Sequence, residues 1–133
     1  MSVEAGSVDS SSWAIAPTAD AGRQARRRLE AWLDGAEPEL LKTLILLASE
    51  LTTLSLDGTP DANGGPIEFS VACDATCVTL EVARPAARYA FAGLESDVRD
   101  VSLCLVDQLA DRWGVKRTGG GTAWWVELDR WPL

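Results

Sequence analysis

Five leucines, Leu40, Leu44, Leu47, Leu51 and Leu54, follow one another at spacings of 4, 3, 4 and 3. That period lays them along one face of a helix, and Leu41, Ile45 and Ala48 widen the stripe. A helix with so wide an apolar face must be covered by another layer. Glu37 and Pro38 suit its first turn. What covers it is written next in the chain. Ile67-Glu68-Phe69-Ser70-Val71 and Val78-Thr79-Leu80-Glu81-Val82 both alternate apolar with polar, as half-buried strands do. Only the short Asp74–Thr76 stretch provides a turn between them, so the two are expected to form a hairpin.

The rest of the chain is read around this pair. Residues 1–12, rich in Ser, Gly and acid without an apolar period, are expected to be a mobile tail. Residues 13–133 are then one domain. Trp13-Ala14-Ile15 forms a short strand ended by Pro17. Asp20 caps a first helix running to Leu33, with Leu29, Trp32 and Leu33 inward and Gly35 as its stop. Thr59 to Pro66 is a loop, and residues 84–96 lack any period and read as a loop or lid. A third helix is expected from Asp97 to Trp113, with Val98, Val101, Leu105, Val106, Leu109 and Trp113 inward and Gly114 ending it. Val115–Arg117, a Thr118–Gly121 turn and Thr122–Leu128 close the chain as a hairpin. The expected fold class is α+β, a two-layer sandwich of a mostly antiparallel sheet with three helices on one face.

Composition removes whole classes of chemistry. The 133 residues contain no histidine, so Ser-His-Asp and Cys-His catalysis and His-ligated zinc are excluded. Twelve basic against 20 acidic residues leave a net charge of −8, which repels a phosphate backbone and argues against direct nucleic-acid binding. Cys73, Cys77 and Cys104 are an odd set and read as buried or half-buried free thiols, with no metal site expected. No basic and apolar leader stands at the start, and the longest apolar stretch, Leu44–Leu47, is far too short for a bilayer. A soluble cytoplasmic chain that does not engage membranes is expected.

Two runs now carry a resemblance. Leu46-Leu47-Ala48-Ser49-Glu50-Leu51-Thr52-Thr53 resembles the N-box helix of small ATP-binding regulators related to anti-sigma-factor serine kinases, within the histidine-kinase-like (GHKL, Bergerat-fold) ATPase superfamily. Leu105-Val106-Asp107-Gln108-Leu109-Ala110-Asp111-Arg112-Trp113-Gly114-Val115 is similar to a signature of their actinobacterial branch. Gly120–Leu128 continues it as that branch's last hairpin. The likeness spans roughly residues 11–129 and implies the histidine-kinase-like ATPase fold, whose element order matches the one read above.

The resemblance also implies three pieces of a nucleotide site, and each is altered here. An N-box Glu that activates the nucleophile is matched by Glu50, but the Mg²⁺-binding Asn four residues on is Leu54. Leucine has no oxygen to offer a hard cation. The Asp that accepts from the adenine amino group corresponds to Arg84, or to Ala83 if the register slips by one; arginine only donates. Pro85-Ala86-Ala87 stands where a Gly-x-Gly would follow. The glycine pair that opens the third helix and receives phosphates falls on Asp100 and Ser102, while Gly93-Leu94 lies too far upstream to substitute. A carboxylate at about 4 Å from a phosphate costs about 4 kcal/mol per charge pair at an effective dielectric near 20.

The expectation is a non-catalytic, anti-sigma-factor-like regulator of transcription with no cofactor. It acts by binding a protein: a sigma factor, an anti-anti-sigma protein or another transcription regulator. Relatives dimerise, so a homodimer is implied. The alternative is an active serine kinase that binds ATP and Mg²⁺ and phosphorylates an anti-anti-sigma partner with Glu50 as base. A third reading, a small-molecule binding module, needs a pocket that sequence does not display. Without its metal ligand, Glu50 reads as a vestigial base on a helix surface. Thr118-Gly119-Gly120-Gly121 lacks the lysine and following helix of a P-loop and reads as a turn. Arg23, Arg26, Arg27 and Arg28 are either a solvated helix face or a docking patch for an acidic partner. Of Trp124 and Trp125, adjacent on a strand, one must face away from the core and is an interface candidate.

Overall fold

The computed structural model describes residues 9–16, 18, 20–33, 38–56, 65–84, 96–118 and 121–130. Eight elements follow in the order β1 (Asp9–Ile15), α1 (Ala21–Trp32), α2 (Pro38–Leu56), β2 (Ile67–Cys73), β3 (Cys77–Arg84), α3 (Ser96–Leu109), β4 (Arg112–Thr118) and β5 (Gly121–Asp129). The strands form one sheet ordered β1-β2-β3-β5-β4, and every neighbouring pair is antiparallel. The fold is therefore α+β, as expected, with helices layered on one face of the sheet.

Alternation decides which face is covered. Ile67, Phe69 and Val71 of β2, Val78, Leu80 and Val82 of β3, and Trp124, Val126 and Leu128 of β5 are all buried. They meet Leu44, Leu47, Ala48, Leu51 and Leu54 of α2, so the leucine stripe lies at the centre of the core. In α1 the buried row is Ala21, Ala25 and Leu29, spaced by four. Trp13 and Phe69 are partners across β1 and β2, and their rings stack with centroids 6.0 Å apart at 8°.

The β2–β3 turn is fixed by one carboxylate. Asp74 Oδ1 accepts from the Thr76 and Cys77 amides at 2.8 and 2.9 Å and from the Thr76 hydroxyl at 2.9 Å. This is an Asx-type turn, in which a side chain replaces a backbone partner. Asp20 stands at the N-cap of α1 but makes no side-chain cap bond; its carboxylate instead pairs with Arg23 at 3.5 Å.

Several expectations are corrected. β1 begins at Asp9 rather than Trp13: Asp9 to Ser12 pair with Cys73 to Ser70, so these four residues belong to the sheet and not to a tail. α3 stops at Leu109, and Trp113 and Gly114 lie in β4. The Asp111 amide donates to the Glu127 carbonyl at 3.0 Å, and Asp111 Oδ2 accepts from the Asp129 amide at 2.7 Å, so β5 captures the chain there. Val101 and Leu105 are exposed at 60% and 36%, whereas Ser102 and Val106 turn inward. Cys104 is exposed, while Cys73 and Cys77 are half-buried, and none of the three forms a disulfide. The expected stop at Gly35, the 84–96 lid beyond Arg84 and most of the Thr59–Pro66 loop lie outside the described residues. No helix among the described residues is long and apolar enough to cross a membrane.

Candidate functional site

The expected nucleotide-site positions are best followed from α2 outward. Glu50 is half-buried on this helix and makes no hydrogen bond or ion pair with another described residue. Leu54, one turn on, is 0% exposed and belongs to the central core. The face of α2 that would have to present a metal oxygen is thus packed against β3 and β5.

Arg84 closes β3 on the core-facing side of its alternation and is only 3% exposed. Its Nη2 donates at 3.3 Å to the carbonyl of Gly65, the one described glycine with positive φ, 74°. Across the ladder it pairs with Thr122, which begins the buried run of β5. Ala83, the alternative position for the adenine-binding Asp, is half-buried on the other face.

Ser102 is buried at 3%; the side chain of Asp100 lies outside the described residues. Because α3 already begins at Ser96, positions 100 and 102 do not open the helix, which corrects the expectation. Beyond the first turn the amides are committed to the helix ladder and have nothing to offer an anion.

These positions converge at one end of the molecule. At the other end, Glu39, Leu40 and Thr43 of α2 meet Leu109 of α3 and Leu128 to Arg130 along a shallow groove. The C-terminal half of α2, the start of α3, the end of β3 and the start of β5 therefore share the opposite end. Among the described residues, the buried polar or charged ones are Thr52, Ser55, Arg84 and Thr122, from those stretches, and Ser102, midway along α3. Thr52 back-bonds to the Ala48 carbonyl at 2.6 Å, whereas the Ser55 and Thr122 hydroxyls are buried without a hydrogen bond to any described residue. Sequence reasoning missed this polar end because Thr52, Ser55 and Thr122 read singly as ordinary helix and strand residues.

The surface candidates separate. Arg23 and Arg26 are engaged with Asp20 and Glu30, at 3.5 and 3.2 Å, while Arg27 and Arg28 are exposed and form no ion pair with a described residue. Trp124 is 2% exposed in the core; Trp125 lies half-buried on the helix-free face. Nearby, Lys116 Nζ pairs with Glu81 at 3.1 Å, and the Arg112 guanidinium joins Glu127 at 2.6 Å and Asp129. These carboxylates hold Arg112 protonated well beyond its ordinary range. Among the described residues no three His, Cys, Asp or Glu side chains gather as a metal site.

No family model matches the chain, and no curated protein matches it either. Among solved structures it is similar to the RsbU and RsbW domains of Rv1364c from Mycobacterium tuberculosis, with a TM-score of 0.68 and 17% sequence identity. The match covers 92% of this chain and 33% of that one, so the chain spans about a third of its neighbour's length. At this identity the likeness establishes the fold: a five-stranded antiparallel sheet with three helices, arranged as in that neighbour.

Proposed function

We propose that the chain is an anti-sigma-factor-like regulator that works by binding another protein and carries no working nucleotide site. The observation that carries this reading is Leu54, wholly buried at the position where the resemblance requires a magnesium ligand. Arg84 adds to it, since a guanidinium buried where the adenine-binding carboxylate belongs presents only donors to a donor amino group. Residues of this kind do not suit a magnesium nucleotide, and no phosphoryl chemistry is derived for them. The regulatory side of the reading is supported by two agreeing lines, the motif resemblance and the fold shared with the RsbU and RsbW domains.

Function then rests on surfaces. Arg27 and Arg28, with Arg23 and Arg26 beside them, offer a basic face on an acidic chain, suited to an acidic face of a sigma factor, an anti-anti-sigma protein or another transcription regulator. Trp125 gives the helix-free face of the sheet an aromatic of the type enriched at interfaces, including one with a second copy. One feature favours the alternative of an active serine kinase: Glu50, which keeps the base of the N-box free of any partner among the described residues.

The test is to mix the purified chain with each sigma factor and anti-anti-sigma protein of its own genome, with and without Mg-ATP. A complex indifferent to nucleotide and weakened about tenfold by Arg27→Glu with Arg28→Glu is expected. Phosphate transfer to a partner serine, or a complex that forms only with Mg-ATP, overturns the reading.

A further inference from the structure

We propose that the seam between α2 and α3 is a docking groove for an amphipathic helix of a partner protein, one carrying basic residues beside its apolar stripe. The proposal rests on the protein-binding reading above but uses a different surface. Four large apolar side chains are exposed among the described residues: Leu46 at 52%, Val101 at 60%, Leu105 at 36% and Val115 at 45%. Three of them belong to these two helices. Exposed apolar groups that gather on one face mark binding surfaces more often than single ones do.

Helix geometry places the three together. Leu40 and Thr43 meet Leu109 in the shallow groove at one end of the helix pair. From Leu109, steps of four back along α3 reach Leu105 and then Val101. From Thr43, steps of three and seven along α2 reach Leu46 and Glu50. Residues so spaced share a helix face. α2 starts at this end and α3 finishes at it, so the helices run antiparallel and the two rows flank one seam. The core sides of the same helices are already closed by Leu44, Leu47, Leu51 and Val106, each 0% exposed. Leu46, Val101 and Leu105 lie outside that core, while Leu109 at the end of the row packs against it.

Charge selects the occupant. Glu39, Glu50 and Asp129 border the seam; of the cations beside them, Lys42 already lies 3.6 Å from Glu39, and Arg130, which lines the same end, donates to the Asp74 carbonyl at 2.6 Å. A second copy seated by the same face sets one acidic border against another, on a chain of net charge −8. The basic helix α1 of another copy does not fit either. Its apolar row, Ala21, Ala25 and Leu29, is buried, leaving no stripe to insert. A foreign helix with a leucine-rich stripe and lysine or arginine flanks satisfies both the apolar row and the acidic border, in the helix-in-groove mode.

The probe is a fluorescein-labelled, stapled helical peptide of about 15 residues with a leucine stripe and lysine flanks, beside a twin with glutamate flanks. Saturable anisotropy with the lysine peptide is expected, weaker binding of the twin, and about tenfold loss with Leu46→Gln plus Leu105→Gln. Methyl shift changes should centre on Leu46, Val101 and Leu105. Both substituted positions are exposed, so the circular dichroism melt should be unchanged. Absence of saturable binding, binding retained within about twofold by the double variant, or shifts on another face overturns the proposal. A wild-type dimer that the double variant converts to monomer assigns the seam to a second copy and overturns it too. The apolar row of the seam includes neither Leu54 nor Arg84, and Glu50 stands only at its border. Nucleotide binding would therefore defeat the function proposed above without touching this result, and failure of the peptide would leave that function standing.

Discussion

The indole of Trp125 occupies the space above Gly114 on the neighbouring strand. A Cβ built on Gly114 would stand 2.7 Å from Cζ2 of that ring and 2.9 Å from Cε2 and Nε1. The two residues are cross-strand partners between β4 and β5, on the face away from the helices. The glycine is what lets the ring settle onto the sheet, beside the Lys116–Glu81 pair.

Gly114→Ala should therefore destabilise the chain by about 1–3 kcal/mol, the usual range for overpacking. Trp125→Leu in the same chain should recover part of that loss, because the obstructing ring is gone. Urea midpoints of the two single variants and the double variant measure this. A Gly114→Ala protein as stable as the wild type would show that the ring is not held over the strand.

Thr122→Val should be neutral or stabilising by about 1 kcal/mol. The hydroxyl is buried without a hydrogen bond to any described residue, and a methyl of similar size carries no desolvation cost. Thermal unfolding decides it. A clear loss of stability would mean that the hydroxyl has a partner.

Leu54→Asn, which restores the oxygen ligand of the N-box, should cost about 3–5 kcal/mol, combining lost apolar burial with a buried amide. It should not confer Mg-ATP binding, because Arg84 still stands where the resemblance implies an adenine-binding carboxylate. A stable Leu54→Asn protein that binds nucleotide would mean that the cleft survives behind one side chain.

Much of this was legible in the chain before folding. The Leu40–Leu54 stripe and the alternation around Phe69 and Leu80 are strong periodic signals, and both elements stand where those signals put them. The residues standing where the resemblance implies ligands were legible as well, since an oxygen donor is either written at position 54 or it is not. The end of α3 was not. Leu105, Leu109 and Trp113 keep helical spacing, and only pairing with distant Glu127 and Asp129 turns the chain at Asp111. The start of β1 was hidden for the same reason: Ser10 to Ser12 have no apolar alternation and become a strand through their pairing with β2. Which arginines of α1 are unpaired, and which apolar residues of α3 face outward, needed coordinates.

Acid should weaken the β2–β3 turn in a defined window. The Thr76 amide, the Thr76 hydroxyl and then the Cys77 amide hold the Asp74 carboxyl below its ordinary value of 3.8. A carboxyl with a lowered folded pKa contributes stability that is complete above the unfolded value and is lost as pH falls through the folded one. The difference in melting temperature between wild type and Asp74→Asn should therefore be constant at neutral pH and shrink below about pH 4. A difference that stays constant into that acid range would mean that the carboxylate charge is not what the turn uses.

The central claim is that Leu54 and Arg84 have replaced a nucleotide site with core. Calorimetric titration of the purified chain with ATP in the presence of Mg²⁺ addresses it most directly. No binding heat is expected at millimolar nucleotide, and a thermal scan alongside should register no shift. Micromolar binding with an accompanying rise in melting temperature would contradict the account, placing a working cleft where Leu54 and Arg84 lie buried.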